Sequence, residues 1–126
     1  MLIHLDTSIL VHAFSGARQS MPAVLKTTAD GEVIMFSTLV LYEWLRGPRQ
    51  TTELEAVERF FAGVFVPAFG EREARTAATL YRSVTGARRR QADIAVAACA
   101  IESGASLWTL NPKDFSDVPG LTLYAG

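Results

Sequence analysis

The sequence predicts an α/β domain with a mainly parallel central sheet flanked by helices. Three observations carry this. Short apolar, β-rich runs alternate with longer stretches of helical pattern, as in successive βα units. Turn residues break the chain between most of these segments. Apolar residues make up 49% of a 126-residue chain, enough for one sizeable core without disulfide staples, so residues 1–126 read as one domain.

The elements follow in order. Leu2–Leu5 is a short apolar strand ending at Asp6, and Thr7-Ser8 cap a helix over Ile9–Phe14. A second helix runs from about Met21 to Ala29 and is closed by Asp30-Gly31. Val33–Phe36 is a buried strand, after which Ser37 and Thr38 cap a helix over Leu39–Arg46 that stops at Gly47-Pro48. Thr51–Ala62 is a helix with Glu53, Glu55, Glu58 and Arg59 on its polar face. Val64–Val66 is predicted as a short strand, Glu71–Val84 as a helix ended by Gly86, and Ala92–Ser103 as an Ala-rich helix ended by Gly104. Leu107–Leu110 and Leu121–Tyr124 are predicted as the last strands. In open α/β sheets the ligand crevice lies beyond the carboxyl ends of the strands. Asp6, Ser37, Glu43, Asn111 and Asp114 all follow strands in this order, and Asp93 opens the last helix.

Composition removes several classes of function. The apolar content excludes intrinsic disorder, and no apolar run reaches the ~18 residues of a membrane span. The N-terminus has no basic region and meets Asp6 at once, which is unlike a signal peptide. One cysteine, Cys99, excludes a disulfide framework and a Cys-based zinc site, and suits a reducing cytoplasm. No Gly-rich phosphate loop is present. The net charge is −1 and the pI about 6.1, but ten of the twelve basic residues are Arg, the better bidentate partner for phosphate.

Three carboxylates stand in the wrong surroundings for solvated surface acids. Asp6 lies inside Ile3–Val11, Glu43 between Leu39–Tyr42 and Trp44-Leu45, and Asp93 heads an uncharged run to Ile101. An ionised acid among apolar neighbours must be paired, protonated or bound to a cation. Arg46, one turn on, is a pairing partner for Glu43, whereas Asp6 and Asp93 have no cation on their own predicted helix. Brought together, the three repel, and a divalent ion is the simplest remedy. Oxygen ligands without Cys and with few His point to Mg²⁺ or Mn²⁺ rather than zinc. Asp114, beside Asn111-Pro112, is a fourth candidate or an ordinary turn acid. Such a cluster suits phosphodiester hydrolysis by a metal-activated water.

Four motifs in this order resemble those of the PIN-domain family, specifically VapC-type toxin ribonucleases of type II toxin–antitoxin pairs. They are Leu5-Asp6-Thr7-Ser8; Ser37 through Glu43 to Gly47; Asp93 through Ala100; and Thr109, Asn111, Asp114 and Phe115. The resemblance implies a three-layer α/β fold, Mg²⁺-dependent RNA cleavage, a homodimer and inhibition by a cognate antitoxin. It assigns Asp6, Glu43, Asp93 and Asp114 as metal-holding catalytic acids, with Thr7 and Asn111 as supporting polar groups. Where relatives often carry a second acid before Asp93, this chain has Arg88-Arg89-Arg90, and either Asn111 or Asp114 fills the fourth position. Two rival readings are a PIN-like module that binds RNA or a partner without cutting, and another metal-dependent phosphoesterase such as a DNA nuclease.

Other residues have simpler readings. His4 and His12 lie in apolar stretches and read as packed histidines, and Cys99 as a small buried apolar residue. Arg88, Arg89 and Arg90 are either an RNA-phosphate patch or a solvated loop. Tyr42, Trp44, Phe60 and Phe61 read as core, with some of them available to line a dimer or antitoxin groove.

Overall fold

A computed structural model of the chain describes residues 1–126. Three strands, β1 (Leu2–Leu5), β2 (Val33–Met35) and β3 (Ser106–Trp108), form a parallel sheet in the order β2-β1-β3. Six helices accompany them: α1 (Thr7–Phe14), α2 (Met21–Ala29), α3 (Thr38–Arg46), α4 (Thr51–Phe60), α5 (Glu71–Ser83) and α6 (Gln91–Glu102). Ile3 pairs with Ile34 on one side and with Ser106 on the other, so β1 is the central strand. The chain therefore moves outward from β1 to β2 and then back past β1 to β3. Right-handed crossovers in opposite directions lay their helices on opposite faces, which gives the three layers. β1 is also where the two directions diverge, and a crevice opens beyond the end of such a strand.

Burial follows from the sequence pattern. Ile3 and Leu5 are fully buried and belong to one continuous core with Ile9, Leu10, Phe14, Val40, Trp44, Ile94, Val96 and Leu107. Helix α6 is apolar on nearly every side and accordingly buries Ile94, Val96, Ala97, Ala98, Cys99 and Ala100. Cys99 and His4 are both packed inside, as expected from their neighbours. Trp44 and Phe61 are core residues, and Phe14, Phe36, Phe60 and Phe61 meet edge to face or tilted at 4.8–5.9 Å. Tyr42 stays exposed. No helix is long and apolar enough to cross a membrane.

Two predicted strands are corrected. Val64–Val66 joins no ladder. Gly63 sits at φ +79° in the turn leading into it, Phe65 is exposed, Val64 N turns back to Phe61 O, and beyond the segment the Pro67 carbonyl accepts from Thr38 N. Leu121–Tyr124 is reduced to a single bridge between Leu107 and Leu123, flanked by Leu107 N to Thr122 O and Tyr124 N to Leu107 O, both 2.8 Å. The third strand also ends earlier than its apolar run, at Trp108 instead of Leu110. The amides that would extend it, Leu110 N and Asn111 N, donate to side-chain hydroxyls of Ser8 and Thr109.

Candidate active site

The site begins where β1 ends. The Asp6 amide continues the sheet by donating to Trp108 O at 2.8 Å, and its carbonyl receives the first amides of α1. Asp6, rather than the predicted Thr7-Ser8, is therefore the N-cap residue, yet its carboxylate makes no capping bond to the helix. Instead Oδ2 accepts from Ser8 Oγ (2.9 Å) and from Thr109 Oγ1 (2.8 Å), and Oδ1 takes no hydrogen bond from the chain. Ser8 and Thr109 are fixed in turn, since their oxygens accept from Leu110 N and Asn111 N. A carboxylate that is 8% exposed is thus stabilised by two hydroxyls and keeps one oxygen free.

Glu43 lies on the second turn of α3. Its Oε1 accepts from Thr7 Oγ1 at 2.6 Å, and its Oε2 is 3.6 Å from the Arg46 guanidinium. Thr7 therefore couples the start of α1 to α3, and the Arg46 pairing expected from the helix spacing is present. Arg46 remains well exposed, so this ion pair is a weak, solvent-screened one. Glu43 also lines a small cleft of about 160 Å³ between α3 and α6, together with Leu39, Tyr42, Arg46, Ala92 and Val96.

Asp93 is the third residue of α6, and its carboxylate accepts no hydrogen bond from the chain. Its carboxyl pKa is raised from the ordinary aspartate value, first by loss of hydration and then by the charges of Asp6, Asp114 and Glu43, while Arg90 opposes them. Asp6, Glu43 and Asp114 thus lie within electrostatic reach of Asp93. Asp114 ends a 3-10 turn, Pro112–Asp114, and is exposed, as is Asn111, whose amide braces Thr109. The acids are not closed into a cage, for no three His, Cys, Asp or Glu side chains are grouped tightly enough to enclose an ion. Arg88 and Arg89, in the 3-10 turn Ala87–Arg89, are exposed, whereas the Arg90 guanidinium is engaged by Asp117 and two backbone carbonyls.

Behind the acids lies His4. Its Nδ1–H donates to Leu5 O (3.0 Å), which leaves Nε2 to accept from Ser37 N (3.1 Å). These two bonds define a neutral imidazole that ties β1, two residues before Asp6, to the start of α3. Burial lowers its pKa from 6.5 to about 4. Ser8, Thr109 and Arg90 acquire roles that motif reading alone did not give them. The signal for the first two was a hydroxyl at the carboxyl end of each strand.

The PIN domain family model matches residues 3–121. The chain belongs to the PIN-domain family. Its VapC-type character appears in the similarity to Ribonuclease VapC19 of Mycobacterium tuberculosis, 34% identical over 119 residues, covering 93% of this chain and 94% of the relative. Among solved structures, VapBC2 from Rickettsia felis bound to a promoter DNA fragment matches with a TM-score of 0.75 at 23% identity, over 98% of each chain. The DNA-bound VapBC of Salmonella typhimurium gives 0.76 at 20% identity, again over 98% of each chain. VapBC-1 from nontypeable Haemophilus influenzae gives 0.75 at 17%, over 98% of this chain and 97% of that one. At these identities the structural matches establish the PIN fold, in agreement with the three-layer architecture.

Proposed function

We propose that this PIN-domain chain is the toxin of a type II toxin–antitoxin pair, a metal-dependent endoribonuclease that hydrolyses RNA phosphodiester bonds. One observation carries the reading. Asp6 stands at the carboxyl end of the central strand, and Asp93 feels its charge together with those of Glu43 and Asp114, three acids from separate segments. Relatives named as a ribonuclease and as VapBC assemblies support the substrate and the antitoxin partner. A homodimer acting in the cytoplasm, with residues 1–126 as one catalytic domain, completes the proposal.

The chemistry of the donors, rather than a closed cage, suits a hard divalent cation, Mg²⁺ or Mn²⁺. The set is all oxygen, Asp6 Oδ1 and the Asp93 carboxylate are free of hydrogen bonds, and the mutual repulsion favours any added positive charge. Asp6, Glu43, Asp93 and Asp114 would hold it, with Thr7 and Asn111 supporting. When bound, such an ion polarises a phosphoryl oxygen and lowers the pKa of a water. The chain's own residues set the geometry. Ser8 and Thr109 hold Asp6 in one orientation, and Thr7 holds Glu43, the carboxylate proposed to accept a proton from the attacking water. Exposed Arg88 and Arg89 are proposed to contact RNA phosphates.

The test compares RNA, single-stranded DNA and a small phosphate ester as substrates, each with Mg²⁺, Mn²⁺ or EDTA. Cleavage of RNA alone, restored by either metal and abolished by EDTA, is expected. Undiminished RNA cleavage in EDTA refutes the metal role, and turnover of the small ester or DNA in place of RNA refutes the substrate class.

A further inference from the structure

Arg90 is the most heavily bonded cation of the chain. Nη1 donates to Thr85 O (2.9 Å) and Asp117 Oδ2 (2.9 Å), and Nη2 to Asp117 Oδ1 (2.7 Å) and Asp114 O (2.8 Å). The side chain is 20% exposed, well below Arg59 and Arg75 in the surface ion pairs. Its partners come from the segment after α5 and from the turn after β3, while Arg90 itself immediately precedes α6, three residues before Asp93.

The turn carrying Asp114 depends on this contact. All its other hydrogen bonds are local: Asp114 N to Asn111 O, Phe115 N to Pro112 O, Ser116 Oγ to Lys113 O and Val118 N to Phe115 O. Phe115 and Val118 anchor the turn by burial, a contact without directional bonds. A planar fork gripping a carboxylate and a carbonyl fixes direction as well. With both terminal nitrogens so engaged, Arg90 has no bidentate edge left for a phosphate.

We propose that Arg90 is a positioning residue: through the Asp114 carbonyl and the Asp117 carboxylate it sets Asp114 against the amino end of α6 beside Asp93, and it takes no part in binding RNA. The proposal rests on the reading of Asp114 as one of the metal-holding acids, and it reassigns one member of the arginine patch while leaving Arg88 and Arg89 for phosphate.

The full chain and its R90K, D117A, R90K/D117A and D114N variants would be compared by two measurements. The first is Mn²⁺ affinity without RNA, from the electron paramagnetic resonance signal of free Mn²⁺. The second is kcat, KM and the salt dependence of KM for a short RNA with Mg²⁺. Lys keeps the charge at position 90 but not the fork, and Asp117 is a half-exposed surface residue whose loss leaves the core intact. Both single variants are expected to lose Mn²⁺ affinity and kcat by the same factor, on the order of tenfold, as for groups that orient a metal ligand. The double variant should be no worse than either, with KM and its salt slope unchanged. If Arg90 bound RNA, D117A would free a cation, lowering KM and steepening the salt slope by about one charge, and that result overturns the proposal. Parent-like Mn²⁺ affinity in R90K and D117A, alongside weakened binding in D114N, overturns it while leaving the four-acid site standing. Parent-like Mn²⁺ affinity in D114N removes Asp114 from the site and the proposal with it.

Discussion

Replacing His4 by Gln should remove most of the acid sensitivity of the metal-free fold between pH 7.5 and 5. The folded imidazole is held neutral, because protonation would place a hydrogen on Nε2 against the Ser37 amide that now donates to it. The unfolded chain takes up that proton below its ordinary pKa of 6.5, the folded chain only below about 4. The depressed pKa therefore leaves His4 harmless above 6.5 and makes stability fall as pH drops from 6.5 to about 4, with no further loss below that. The gap corresponds to about 3 kcal/mol in total, of which about 2 kcal/mol falls between pH 7.5 and 5.0. At pH 7.5 the Gln variant should be less stable than the parent by about 1–3 kcal/mol, since the Ser37 amide or the Leu5 carbonyl loses a partner. Urea unfolding in EDTA, followed by fluorescence of buried Trp44 and Trp108, gives both quantities. The parent midpoint should drop by roughly 1 M more than that of the variant across this pH interval. Equal pH dependence in the two proteins would refute a buried, neutral His4.

Two further outcomes are expected. Asp93→Asn should abolish cleavage yet melt no lower than the parent in EDTA: its carboxyl pKa is raised in the fold, so the charged form is a liability at pH 7 that disappears as pH falls below the unfolded value. Mg²⁺ should raise the melting temperature of the parent and hardly move that of Asp93→Asn, and an equal shift in both would take Asp93 out of the metal site. Thr109→Val should cost about 1–3 kcal/mol in thermal melts, because Asn111 N loses its acceptor and Asp6 one of its two donors, with a fall in kcat larger than any rise in KM. Parent-like kcat in that variant would show that the orientation of Asp6 does not depend on Thr109.

The alternation of short strands and helices was legible in the sequence because burial leaves a local signature. Ile3 and Leu5 are buried in β1, and Ile94 through Ala100 mark a helix enclosed on nearly all sides. The same logic exposed the acids, since a charge among apolar neighbours is visible within a few residues of itself. Apart from the local contacts of Ser8 with Asp6 and Arg46 with Glu43, tertiary structure decided what those acids touch. Thr109 reaches Asp6 across 103 residues, Thr7 reaches Glu43 across 36, and Arg90 turns to Asp117 across 27. It likewise decided that Val64–Val66 joins no ladder and that the amides beyond β3, Leu110 N and Asn111 N, go to Ser8 and Thr109. Propensity and periodicity are properties of neighbours along the chain, whereas hydrogen-bond partners depend on which crossovers bring distant strand ends to one side of β1. The residue types of the site are therefore written locally, and the hydroxyls and the guanidinium that orient them are assigned only when the sheet closes in the order β2-β1-β3.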